Sequence, residues 1–265
     1  MLRQLMRGST VTQGRTAALQ RKMKDLAELV FVDAPHTITA TPAKPAKLTE
    51  AGNPAAAHPA AIKRAWLFAN QQTVGDQDAD ASDEPWRQQT EGWAASEAAL
   101  LDVLQHEGPF DGVLGFSQGA AVAAAFCAQQ QQHQQLLACT NATPSLRFAI
   151  LCSGYPSAAA EHRVVHAEVG LLQLPTLHVF GAQAAQSQTT AGHDEHCSHL
   201  PQHSAPTWDQ QVSPVASRQL LDLCEQRLCY VVEHNNGHVI PVDKRCIQRF
   251  RTFLLHVAAT GSPCM

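Results

Sequence analysis

A chain of 265 residues, 45% of them hydrophobic, is long enough to bury one sizeable core, so a single domain over 1–265 is expected. The net charge of -4 and the scattered Lys and Arg give no concentrated basic face, which argues against a nucleic-acid or anionic-membrane partner. No apolar run approaches the roughly 20 residues that span a bilayer, so no membrane span is expected.

The chain opens on Met1-Leu2-Arg3-Gln4-Leu5-Met6-Arg7-Gly8-Ser9, which lacks the apolar stretch and cleavage site of a secretory signal. Its first acid is Asp25, a faint transit-peptide trait, and a cytoplasmic location is the expectation. Residues 29–32 (Leu-Val-Phe-Val), closed by Asp33-Ala34-Pro35, read as a buried strand. Residues 37–62, rich in Ala, Pro and Thr, and the acidic stretch 70–91 read as inserted loops. A helix is expected over 94–107, a strand over 112–115 and a small-residue helix over 118–130, which the glutamine-rich run to Gln135 prolongs.

Further strands are expected at 148–152, 176–181 and 228–232, and further helices at 214–226 and 242–258. Between them, 182–207 is rich in Gln, His, Ser and Thr and reads as a third insertion. Alternating strands and helices predict an α/β fold, a mostly parallel sheet covered by helices. The eight cysteines (Cys127, Cys139, Cys152, Cys197, Cys224, Cys229, Cys246, Cys264) form no Cys-x-x-Cys pair and read as reduced thiols, several of them buried.

Gly115-Phe116-Ser117-Gln118-Gly119 carries the strongest chemical signal. A serine hydroxyl is a weak nucleophile and must stand clear of its own backbone. The Gly-x-Ser-x-Gly elbow achieves this with a sharp strand-to-helix turn whose glycines let neighbouring backbone pass. Here an apolar strand precedes the serine and an alanine-rich helix follows it, the context the motif requires. Ser117 is therefore the candidate nucleophile.

The base is sought after the last strand, because the chain order for this arrangement is Ser, acid, His. His238 fits, on the turn Asn235-Asn236-Gly237 ahead of Pro241, while His234 sits before that turn. The acid should follow the strand at 176–181, yet the first carboxylates there are Asp194, Glu195 and then Asp209. Asp209 precedes a helix and equally suits a cap. Spacing leaves Asp194 and Asp209 as alternatives.

Several stretches together resemble the FSH family of eukaryotic serine hydrolases. They are Glu28 to His36, Arg64 to Phe68, the block from Gly108 to Ala120, Cys152-Ser153-Gly154-Tyr155, Leu174 to Gly181 and Gly237 to Pro241. The resemblance implies an α/β-hydrolase fold with helices on both faces, and hydrolysis of a small-molecule carboxylic ester or thioester without a cofactor. It also implies Asp209 as the acid, since Val212, Pro214 and Ser217 keep the downstream half of the family's pattern. Gln118 would supply one oxyanion-hole N–H.

Family members begin with an apolar strand and a His-Gly turn that provides the second donor. Here both that first strand and the His-Gly turn are expected to be missing, which makes a catalytically impaired binding protein the alternative function. Phe116, Trp66 and Tyr155 are candidates for the acyl site. His193, His196, Cys197, His199 and His203 lack the paired spacing of a structural zinc site, and no metal is expected.

Overall fold

The computed structural model describes residues 2–7, 10–38, 63–69, 84–136, 146–182 and 209–260, with the side chains of 2–7 and 10–15 left out. In chain order the elements begin with β1 (Leu2–Arg7), α1 (Thr10–Met23), β2 (Ala27–Val32), β3 (His36–Ile38), β4 (Lys63–Ala65) and β5 (Phe68–Ala69). There follow β6 (Gln89–Glu91), α2 (Trp93–Glu107), β7 (Gly112–Phe116), α3 (Gln118–Leu136), β8 (Phe148–Cys152) and α4 (Ala160–Val169). The chain closes with β9 (Thr176–Gly181), α5 (Pro214–Leu221), β10 (Cys229–His234) and α6 (Lys244–Thr260).

Six strands form one sheet in the order β2-β1-β7-β8-β9-β10, every neighbouring pair parallel. Alternation along β8 shows how the sheet divides the core. Ala149 and Leu151 face a cluster that includes Leu100 of α2 and Phe126 of α3. Phe148, Ile150 and Cys152 face the opposite cluster, with Leu19 and Met23 of α1 and Phe250, Phe253 and Val257 of α6. Helices therefore cover both faces, and the chain has the α/β-hydrolase fold. No described helix is long and apolar enough to cross a membrane.

The helices bury what their sequences dictate. Gly119 to Ala128 of α3 are buried, and their small side chains let the helix lie close to the sheet. The glutamine run continues α3 and emerges into solvent by His133, as its polarity requires. In α6 the buried Cys246, Ile247, Phe250, Phe253, Leu254 and Val257 recur at helical spacing, and Asp243 Oδ1 caps the start by accepting from Cys246 N at 3.0 Å.

One expectation is overturned. The first strand is not missing: Leu2–Arg7 is β1, an interior strand beside the edge strand β2, with Leu5 registered against both Val30 and Val113. Arg3, Gln4 and Arg7 break the apolar run by which a buried parallel strand is recognised. The residues after it, Gly8 and Ser9, lie outside the described residues.

Smaller differences have local causes. Within the stretch read as a loop, Pro85–Gln88 forms a 3-10 turn, and β6 pairs with β5 as β3 does with β4. These two-stranded ribbons are too short for a periodic signal. α5 stops at Leu221 because Cys224 is drawn into a bridge with Leu172. The helix α4 lacks a side-chain cap at Ala159 and buries only His162, so nothing in its pattern announces it. Most of the expected insertions, 39–62, 70–83 and 183–207, lie outside the described residues, as do Asp194 and the His-rich stretch.

Candidate active site

The sheet order creates the place for a site. From β1 the chain moves outward to β2, then returns to the other side of β1 as β7. Connections leave in opposite directions at that point, opening a crevice beyond the carboxyl ends of the strands. Ser117 stands there, between β7 and α3.

Its backbone has the form an elbow demands. Ser117 has φ of 54°, a left-handed conformation that a non-glycine residue adopts only when its surroundings enforce it. The enforcement is visible: Ser117 N donates to Cys152 O at 2.8 Å, while Ser117 O accepts from Ala120 N and Ala121 N at 2.9 and 3.3 Å. Gly115 is required by the same turn, since a Cβ there would lie 2.3 Å from Gly119 O and 2.5 Å from Ala120 Cα.

His238 and Asp209 meet in front of this elbow. His238 Nδ1 donates to Asp209 Oδ2 at 2.8 Å, and the His238 ring packs against that of Phe116, centroids 4.7 Å apart. Asp209 Oδ1 accepts from Gln211 N at 3.0 Å and Val212 N at 2.9 Å, so both carboxylate oxygens are engaged. Burial pushes the carboxyl group up, but the His238 hydrogen bond and charge and the two backbone N–H groups outweigh it, leaving its pKa below the ordinary value.

Although 28 positions separate them, Asp209 packs directly on Gly181 at the end of β9. A Cβ on Gly181 would stand 3.0 Å from Asp209 Cβ. The carboxylate thus lies where a residue just after that strand would be, whatever path the intervening chain takes. His234 differs from His238. It is buried at the end of β10, its Nδ1 accepts from Asn236 N at 3.2 Å, and burial holds its pKa down.

Gln118 ties the elbow to the rest of the crevice. Its Oε1 accepts from Trp66 N and Leu67 N at 2.7 and 3.3 Å, while Nε2 donates to Leu67 O and Gln89 Oε1 at 2.8 and 2.7 Å. Tyr155 O–H donates to the same Gln89 oxygen at 2.8 Å, and the Tyr155 ring stacks on Trp86. Trp66 and Tyr155 are both buried, so the structure brings them to Gln118 through backbone and amide groups, whereas Phe116 alone of the three candidates adjoins His238. Sequence reasoning missed Gln89 and Trp86, which lie in a polar stretch without motif or periodicity. It also missed buried Ser153, whose φ of 44° repeats the elbow's strain at the end of β8.

Comparison with known proteins adds an independent line. Residues 6–192 match the model of a family described as serine hydrolase (FSH1). The chain is 34% identical over 257 residues to rhodanese-like domain-containing protein 6 of Arabidopsis thaliana, covering 91% of this chain but only 36% of that protein. It is 30% identical over 243 residues to esterase OVCA2 of Danio rerio, covering 91% of this chain and 88% of that one. Among solved structures, the esterase domain of a Rhodothermus marinus protein aligns with a TM-score of 0.45 at 11% identity, over 98% of this chain and 85% of that one.

Proposed function

Since the chain belongs to the FSH1 serine hydrolase family, we propose that it hydrolyses carboxylic esters or thioesters through Ser117, His238 and Asp209. The observation that carries the reading is the His238 ring held between Phe116, the residue before the strained serine, and the buried carboxylate of Asp209. The relatives named esterases support the substrate class.

In this mechanism Ser117 Oγ attacks the acyl carbonyl while His238 Nε2 takes its proton. Asp209 keeps the other ring proton on Nδ1, which leaves Nε2 free to accept, and stabilises the imidazolium that forms. The tetrahedral oxyanion rests on Gln118 N–H, one of the N–H groups in the first turn of α3 that have no acceptor within the helix. His238 then protonates the leaving oxygen or sulfur, and water, activated by the same imidazole, releases the acid. Phe116 borders the acyl site, while Trp66 and Tyr155 shape it from behind Gln118. No step needs a cofactor.

β1 supplies the strand whose expected absence motivated the catalytically impaired binding protein, but Arg7-Gly8-Ser9 carries no His-Gly pair, so that second reading stands until ester turnover is measured. A fluorophosphonate probe should label the wild-type protein and leave Ser117→Ala unlabelled, and p-nitrophenyl acyl esters should be turned over only by the former. Equal labelling of both proteins would refute the assignment of the nucleophile.

A further inference from the structure

We infer that His178, Cys224 and Cys229 form a binding site for a thiophilic divalent cation, zinc foremost, at the end of the sheet opposite the ester site. One ligand atom from each of these residues lies within 4.8 Å of the other two. The inference is independent of the esterase mechanism.

The backbone builds the cluster from three directions. In the parallel pairing of β9 with β10, Cys229 is registered on Thr176. Alternation puts His178 on the same face, two residues further along β9. Cys224 arrives after α5 and is fixed by a bridge to Leu172, with Leu172 N donating to Leu223 O at 2.9 Å and Glu225 N donating to Leu172 O at 3.0 Å. Thr176 Oγ1 stands 3.3 Å from Cys229 Sγ and 3.1 Å from His178 Nε2, so a hydroxyl already bridges thiol and imidazole. Ligands placed on a hydrogen-bonded frame are positioned for a cation without needing a loop to move.

The donor chemistry selects the ion. Two thiolates and a neutral imidazole suit zinc, and they exactly balance its charge, which a site with buried Cys224 and His178 requires. Zinc–sulfur bonds of about 2.3 Å and zinc–nitrogen bonds of about 2.0 Å put tetrahedral ligands roughly 3.5 Å apart, so closure asks for about 1 Å of side-chain adjustment. The hydrophobic cluster holding Cys127, Leu172, Leu220 and Cys224 forms the dry shell that strengthens metal–ligand bonds.

From Thr176 to Gly181, five residue steps at about 3.3 Å each place this cluster roughly 17 Å from the carboxylate packed on Gly181. The ion would clamp β9, β10 and the segment after α5 rather than take part in hydrolysis.

Cobalt(II) reports such a site directly. The full-length chain, reduced and stripped with chelator, should develop a thiolate-to-cobalt charge-transfer absorption that saturates at one equivalent and is displaced by zinc. Cys224→Ser and Cys229→Ser should each lose it. Cys229→Ser exchanges only sulfur for oxygen at a half-buried position, so far-UV circular dichroism should show it folded. A variant with Cys197→Ser and with His193, His196, His199 and His203 replaced by Ala should keep the absorption. Absence of the band in the reduced wild type, its survival in either cysteine variant, or its loss in the His-rich variant would each overturn the inference.

Discussion

At the scale of single residues, the division of labour on Asp209 makes the site testable. One carboxylate oxygen is occupied by two backbone N–H donors and the other by His238. In Asp209→Asn the amide oxygen must keep the backbone donors, so its NH₂ group faces His238 Nδ1. The imidazole is then forced into the tautomer with hydrogen on Nε2, which cannot accept the serine proton. Turnover of p-nitrophenyl esters should fall by roughly 10³–10⁴-fold, with the fold retained.

The same carboxylate leaves a mark on acid stability. Its folded pKa lies below the ordinary 3.8, so the unfolded chain binds its proton first as pH falls. The stabilisation is complete above about 3.8 and lost as pH drops through the lower folded value. Acid unfolding followed by circular dichroism should therefore show a loss in wild type over that window which Asp209→Asn lacks. An identical acid limb in both proteins would contradict the ionised, hydrogen-bonded carboxylate.

At the scale of elements, the junction between β7 and α3 depends on the missing side chain at Gly115. A methyl group there meets backbone atoms, Gly119 O and Ala120 Cα, rather than the tip of a movable side chain. Gly115→Ala must therefore push α3 away from the sheet and turn Ser117 out of place. We expect about 3 kcal/mol or more of destabilisation in urea unfolding, accompanied by loss of probe labelling. This junction was readable beforehand because Gly115, Ser117 and Gly119 occur in a spacing that physical crowding dictates. The strands at 148–152 and 176–181 were equally readable, for they are short, rich in apolar residues and buried on both faces. β1 was not, since Arg3, Gln4 and Arg7 give it no apolar run, and its place depends on the partners on either side. α4 and the short ribbons escaped for want of length and caps.

At the scale of the whole molecule, β1 joins the edge strand β2 to the other four strands of the sheet. On one side it pairs with β2, on the other with β7, so the link from β2 to the rest of the sheet runs through its backbone. Proline at Leu5 would remove a ladder donor in the middle of an interior strand. Leu5→Pro should cost on the order of 3 kcal/mol and separate β2 and α1 from the rest, read as loss of cooperative unfolding. An unchanged urea midpoint would mean that Leu2–Arg7 contributes nothing to the sheet.

By itself the amino-acid sequence determined the nucleophile elbow, the alternation of strands and helices, and the turn carrying His238, because each rests on short-range sterics or hydrophobic period. It left the candidate acid between Asp194 and Asp209, with a family resemblance favouring the latter, since no local rule links a carboxylate to a strand 28 positions earlier. Only the tertiary structure set Asp209 on Gly181, placed a partly polar strand inside the sheet between β2 and β7, and gathered His178, Cys224 and Cys229 into one cluster. Those are contacts between distant parts of the chain. Their energies depend on what faces each residue across the sheet, which neighbours in sequence do not encode.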